Sequence, residues 1–312
     1  MELQQSEIKK RIRSVGDIRQ MTHAMHLISA VKMRRARQQL EKTMPFFALC
    51  AETMIEMQES GMLLDNRYMT LRQKKPGETW KIGYFILTGD QGLAGAYNLN
   101  VLATTEKHIQ EKMIDNVRKN LNTSVELYVA GRIGRERLIR AGFNVVPDFK
   151  YPINEPTYYR ARDISEYIQD LYENGTLDLV YFIYTRIESA ITMKPMVTRI
   201  LPVNTDVLAQ MIPEEHRGPR GIDAGAEILY DPSAEEVMEY LTDTYMNGMV
   251  YGALTEAFAS EQTARMTAMD SATENADEML EQLRLRGNQV RQNQITNELS
   301  EIVGGAEVLS EG

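Results

Sequence analysis

After Pro232 the chain runs to its end, through residue 312, without another proline. Over residues 234–303 the sequence keeps a helical pattern, and Asp231-Pro232-Ser233 opens it. Ser233 with Glu236 fits a capping box, in which each side chain satisfies a free N–H of the first turn. Gly248, Gly252 and Gly287 are tolerated interruptions at ~1 kcal/mol each relative to alanine, and Gly304-Gly305 is the expected end. At ~1.5 Å per residue such a helix is ~100 Å long. A compact domain of ~300 residues is only ~40–50 Å across. Part of the helix is therefore expected to stand clear of any globular body. Isolated helices draw most of their stability from packing, so this one needs a partner.

The chain offers one at its other end. Residues 1–44 contain no proline and one glycine, Gly16. Ile8, Ile12, Val15, Ile18, Met21, Met25 and Ile28 recur in steps of three and four, a helical stripe. Pro45 is expected to kink this helix, "FFALCAETMIEMQES" resumes the pattern, and Gly61 is the expected stop. In the last part, Ala264, Ala268, Ala272, Ala276, Met279, Leu283 and Val290 form a narrow stripe of mostly small residues. The two stripes predict an antiparallel coiled coil of residues 1–60 with 233–305. Neither keeps a strict seven-residue repeat, so irregular supercoiling is expected. Residues 1–42 carry ten Lys or Arg against four Asp or Glu, and residues 234–312 carry four against fifteen. A basic head and an acidic tail can attract each other at short range, screened by salt where exposed, or stand as two solvated faces that never meet. Beyond Leu285 the sequence turns polar, with Asn288, Gln289, Arg291, Gln292, Asn293 and Gln294, and has little to bury on itself.

The middle, about 75–230, has a different texture. "WKIGYFILTGDQG" reads as a strand leaving into a glycine loop. "VELYVAG" reads as a second strand, "RIGRERLIRAG" as a short helix, and "FNVVPDFKYP" as a third strand or edge. "YRARDISEYIQDLYENG" is an amphipathic helix stopped by Gly175. "LDLVYFIYTRIESAITMKPMVTRILPV" reads as two strands joined by a turn. Strands alternating with helices predict a mostly parallel α/β sheet. "MIPEEHRGPRGIDAGAE" reads as a loop. The predicted fold is thus α/β: two long terminal helices forming an antiparallel coiled coil, plus a central Rossmann-like domain.

Chemistry is sparse. No run approaches the ~18 consecutive apolar residues of a membrane span, and the start has no apolar signal core, which predicts a cytoplasmic chain. One cysteine, Cys50, excludes an internal disulfide. A net charge of −9 argues against a general nucleic-acid binder. "TGDQGLAGAYN" places Gly89, Gly92 and Gly95 between a strand and a helix, but it lacks both the G-x-G-x-x-G spacing and the Lys-Ser/Thr pair of a P-loop. A turn using glycine for unusual φ values and close packing is the simpler reading. His23 and His26 stand three apart without a third ligand nearby. Asp270, Glu274, Asp277, Glu278 and Glu281 read as a solvated helix face. No nucleophile–base pair is visible, and no cofactor is expected.

Both ends of the chain nevertheless resemble one family, the gamma subunits of F-type (rotary) ATP synthases. The family's Ile-Thr-Lys-Ala-Met segment leading to Ser-Lys-Met-Arg is matched by "MTHAMHLISAVKMRRARQQL" (21–40). Its Ser-Glu-x-x-x-Arg-Met-x-Ala-Met signature is matched by "SEQTARMTAMDSATENA" (260–276). Its Arg-Gln-x-x-Ile-Thr-x-Glu-Leu-x-Glu-Ile-Val signature is matched by "RQNQITNELSEIVGGAEVL" (291–309). "TGDQGLAGAYNLN" resembles the family's Gly-Leu-Cys-Gly-Gly-Leu-Asn stretch, with Ala94 where cysteine is common. The likeness spans nearly the whole chain in order.

The resemblance implies a non-catalytic rotor shaft, present once per complex. Its terminal helices enter a ring of alternating alpha and beta subunits, and its α/β domain sits with the epsilon subunit on the membrane ring of c subunits. It further implies contacts with the alpha/beta ring at Arg265, Arg291, Gln292, Thr296 and Glu298, a close helix contact at Met25, and Lys32 and Arg34 facing acidic loops of the catalytic subunits. Tyr230 and Asp231 are the implied contacts at the c-ring and epsilon foot. The expected location is the cytoplasmic face of a bacterial cell membrane, held there through the complex. His23 and His26 depart from the family pattern and make shaft contacts pH-sensitive near neutrality an expectation. The rival readings are a nucleotide-dependent α/β enzyme using the Gly89–Gly95 loop and a static coiled-coil tether.

Overall fold

The computed structural model describes residues 2–59, 66–188, 192–203, 208 and 229–310. The loop at 211–227 and the stop at Gly61 lie outside them. In chain order the elements are α1 (Glu2–Glu59), β1 (Thr79–Leu87), α2 (Tyr97–Arg118), β2 (Asn122–Ala130), α3 (Arg132–Arg140), α4 (Tyr158–Glu173), β3 (Leu179–Ile187), β4 (Met193–Leu201) and α5 (Ala234–Ser310). The chain divides into two compact units, residues 31–264 and residues 1–30 with 265–312.

The larger unit holds a four-stranded sheet in the order β2-β1-β3-β4. β1 runs parallel to both β2 and β3, and β4 closes the edge antiparallel to β3. A parallel strand joined by helical crossovers is covered on both faces, so its sequence reads as a continuous apolar run. β1 ends on six consecutive buried residues. Its side chains alternate between two cores. Ile82, Tyr84 and Ile86 pack with Val101, Leu102 and Ile109 of α2 and Leu138 of α3. Phe85 and Leu87 pack with Ile164, Ile168 and Tyr172 of α4, Met54 and Met57 of α1, and Tyr245 and Met249 of α5.

Local signals set the helix starts. The Thr157 side chain accepts a hydrogen bond from the Arg160 N–H and caps α4. Ser233 Oγ accepts from the Glu236 N–H at 3.2 Å and caps α5. Three expectations are corrected. "FNVVPDFKYP" forms only a single bridge, Val145 to Leu127, because Asp148 and the prolines around it leave no alternating run. α5 continues past Gly304-Gly305 to Ser310, since a glycine pair lowers helix propensity without removing a backbone donor. Gly248 is more than a tolerated interruption: a Cβ there would lie 2.2 Å from the Phe47 ring, so its absence lets α1 and α5 approach.

In the smaller unit the two helix segments pack antiparallel. Arg19 pairs with Asp277. Thr22 Oγ1 lies 2.8 Å from Thr273 Oγ1, and His26 Nδ1 lies 3.6 Å from Asp270 Oδ1. Each advance along α1 is matched by a retreat along α5. The buried and half-buried positions include Ile8, Ile12, Val15, Arg19, Thr22, His26 and Ser29 on α1. On α5 they include Met269, Thr273, Ala276, Leu280, Leu283, Gly287 and Val290. Both runs alternate steps of four and three. This corrects the expected stripes, because Ile18, Met21, Ile28 and Met279 are exposed. Polar residues that find partners across the pair occupy the seam, and neighbouring apolar residues are displaced from it.

Candidate partner-contact surface

The site residues implied at the sequence level fall in both units. In the smaller unit, Arg265 is buried and Met25 half-buried, whereas Arg291, Gln292, Thr296 and Glu298 are exposed. The last four share one helix: Thr296 Oγ1 donates to the Gln292 backbone carbonyl at 2.9 Å, and Glu298 Oε1 accepts from Gln294 Nε2 at 3.0 Å. Residues four apart lie on one side of a helix and residues two apart on opposite sides, so the two pairs give this segment polar surface on both sides.

An apolar feature beside this surface is hidden by the polar composition. Ile295, Leu299, Ile302 and Val303 recur at helical spacing and are 49–67% exposed. The seven-step pattern of "QITNELSEIV" carries the signal, but surrounding polar residues mask it. Large apolar side chains left in water as a stripe mark a surface that another molecule covers.

In the larger unit, Lys32 is half-buried and Arg34 exposed. Lys32 lines a cleft of about 690 Å³ with Arg35, Gln39, Tyr158, Tyr251 and Phe258, and Arg34 does not line it. Tyr230 packs partly buried against the larger core, and Asp231 is exposed beside the α5 cap. The implied contacts therefore do not form one pocket. Most lie on α1 and α5, Arg265 buried and the others half-buried or exposed, and Tyr230 and Asp231 lie in the segment before α5.

The glycine loop does not form a phosphate cradle. Asn98 Oδ1 accepts the Gly89 N–H at 2.7 Å. The Asp90 carboxylate accepts the N–H groups of Arg132, Ile153 and Asn154 at 2.9–3.2 Å. A Cβ on Gly89 would meet the Glu261 carboxyl at 2.8 Å. Two carboxylates thus stand where an anion would need donors. Among the described residues no cluster of His, Cys, Asp and Glu is arranged to hold a metal, and no helix is long and apolar enough to cross a membrane.

An α/β unit and a long antiparallel helix pair whose end leaves an apolar stripe exposed point to a subunit that works by touching other chains. The comparisons specify which. The family model described as ATP synthase matches residues 4–309. An ATP synthase gamma chain of Ruminiclostridium cellulolyticum is 42% identical over 303 residues, covering 97% of this chain and 98% of that one. The sodium ion specific ATP synthase gamma chain of Acetobacterium woodii is 35% identical over 311 residues, covering 97% and 98%. In fold, the chain is similar to one in the Euglena gracilis mitochondrial ATP synthase (OSCP/F1/c-ring, rotational state 3), with a TM-score of 0.57 at 14% identity, covering 99% and 95%. It is also similar to one in the central stalk and c-ring of the Tetrahymena thermophila enzyme, with a TM-score of 0.52 at 23% identity, covering 81% and 99%. The chain belongs to the ATP synthase gamma family.

Proposed function

We propose that this chain is the central-stalk rotor subunit of an F-type ATP synthase. It couples ion-driven rotation of a membrane c ring to ATP synthesis or hydrolysis in a ring of alpha and beta subunits. It contributes no catalytic residue. The two terminal helices act as a coiled-coil shaft, and the Rossmann-like unit acts as its foot, beside the epsilon subunit and the c ring. The complex holds the chain at the cytoplasmic face of the membrane.

The observation that carries this reading is the end of α5. There an exposed apolar stripe runs among the exposed polar residues Arg291, Gln292, Thr296 and Glu298. A shaft turning in a socket must not bind one orientation too deeply, since each buried Å² contributes ~25 cal/mol. Exchangeable polar contacts suit such a surface, and a narrow apolar stripe centres it. Coupling also requires each orientation to favour a different conformation of the catalytic subunits.

The test is Arg291→Ala with Gln292→Ala. Both residues are exposed, so the chain should fold and the complex assemble. Coupled ATP synthesis is expected to fall several-fold, and full activity would refute this assignment.

A further inference from the structure

Open α/β sheets bind their ligands beyond the carboxyl ends of the strands, at the point where the strand order turns back. In the order β2-β1-β3-β4, that point lies beyond the ends of β1 and β3. Here a helix of the chain itself fills it. Gly89, two residues past β1, faces the Glu261 carboxyl so closely that a Cβ would meet it at 2.8 Å. Ser260 Oγ donates to the Thr185 carbonyl in β3 at 2.8 Å. Tyr97 OH, at the start of α2, donates to the Ala257 carbonyl at 3.0 Å. Met193, at the start of β4, and Ala94 pack against Ala264.

Three polar or close contacts therefore reach little more than one turn of α5 from three different elements. From Ala257 to Ala264 every residue is buried, and Ser260 and Glu261 show no exposed surface. A helix resting on one apolar face can roll as side chains change rotamer. Hydrogen bonds weaken steeply with angle, and a carboxyl seated against a Cα has no room to slide. Burying a carboxyl is also costly, so a helix that needed only apolar contact would not place one there.

We propose that this crevice is the seat that locks α5 against turning within the sheet unit, and that Glu261, Ser260 and Tyr97 are the positioning residues through which torque passes between sheet and helix. The inference rests on the rotor reading above. It assigns a mechanical use to the place where other sheets of this design hold a ligand.

The experiment uses the assembled complex, immobilised, with a bead attached through Lys107→Cys. That side chain is 77% exposed, and the chain's own Cys50 is buried. Ser260→Ala with Tyr97→Phe removes both directional bonds and keeps the shapes. The angular spread of the resting bead is expected to widen at least about twofold as two hydrogen bonds are lost. Gly89→Ala, which presses a methyl group on the Glu261 carboxyl, should widen it similarly. An unchanged spread in both variants overturns the proposal. Should the double variant not assemble, amide exchange in the chain alone decides. In Glu261→Gln, exchange should quicken over residues 257–264 and stay unchanged in α4, whereas uniform quickening would mean general destabilisation and overturn the proposal. Failure of the wild-type chain to join any such complex would instead count against the rotor reading, and the exchange test would still stand.

Discussion

Glu256 shows how one side chain can carry a measurable cost. It sits on α5 in a small cleft of about 100 Å³ with Tyr184, Met196 and Met249. Burial pushes its carboxyl above the ordinary range, and Arg186, 3.7 Å away, only partly opposes this. A raised carboxyl pKa means that the folded chain holds the proton more tightly than the unfolded chain. The associated stability is present below the unfolded value and is lost as pH rises through the folded one. Glu256→Gln removes that loss. Its melting temperature should exceed the wild type's by about 2 °C at neutral pH, and the gain should vanish in acid below the unfolded carboxyl's value. A gain that stays constant across pH would contradict this account. Asp178 is the opposite case. Burial raises its pKa, but hydrogen bonds from Lys74, the Lys81 N–H and Arg72 outweigh burial and hold it below the usual range. Neither environment was legible in the sequence, because each is assembled from segments far apart in the chain. Gly248 was legible as a glycine but not as the place where the Phe47 ring lies against the helix backbone.

Among the elements, the long helices and the sheet were legible, because propensity, caps and apolar runs are local. The seam between the helices was only partly so. Apolar spacing alone favoured Ile18, Met21, Ile28 and Met279, all of which are exposed. The seam instead passes through Arg19, Thr22 and His26, which find Asp277, Thr273 and Asp270 across it. A single helix cannot reveal which of its polar residues will be paired, since that depends on the register of the other. Two adjacent residues of α5 separate the alternatives. Leu280 is 7% exposed and Met279 is 51% exposed. Leu280→Ala should cost ~2–3 kcal/mol of stability, and Met279→Ala should stay within about 0.5 kcal/mol. Denaturant unfolding of the full chain measures both, and equal losses would contradict the observed seam.

For the whole molecule, family membership was the most legible property, because the terminal signatures are long and lie in order. The contact residues were less so. A dispersed surface takes its meaning from partners that one chain does not contain. Exposure adds the apolar stripe at Ile295, Leu299, Ile302 and Val303, and a cleft lined by Lys32 but not by Arg34. The seat of α5 adds the means by which the sheet unit could drive a helix. The central claim is that the chain turns relative to the alpha/beta ring. The most direct measurement immobilises the complex by its alpha/beta ring and follows a bead on Lys107→Cys during ATP hydrolysis. The account predicts continuous rotation of the bead in a single direction. A bead that only fluctuates about a fixed angle while the complex hydrolyses ATP would contradict it.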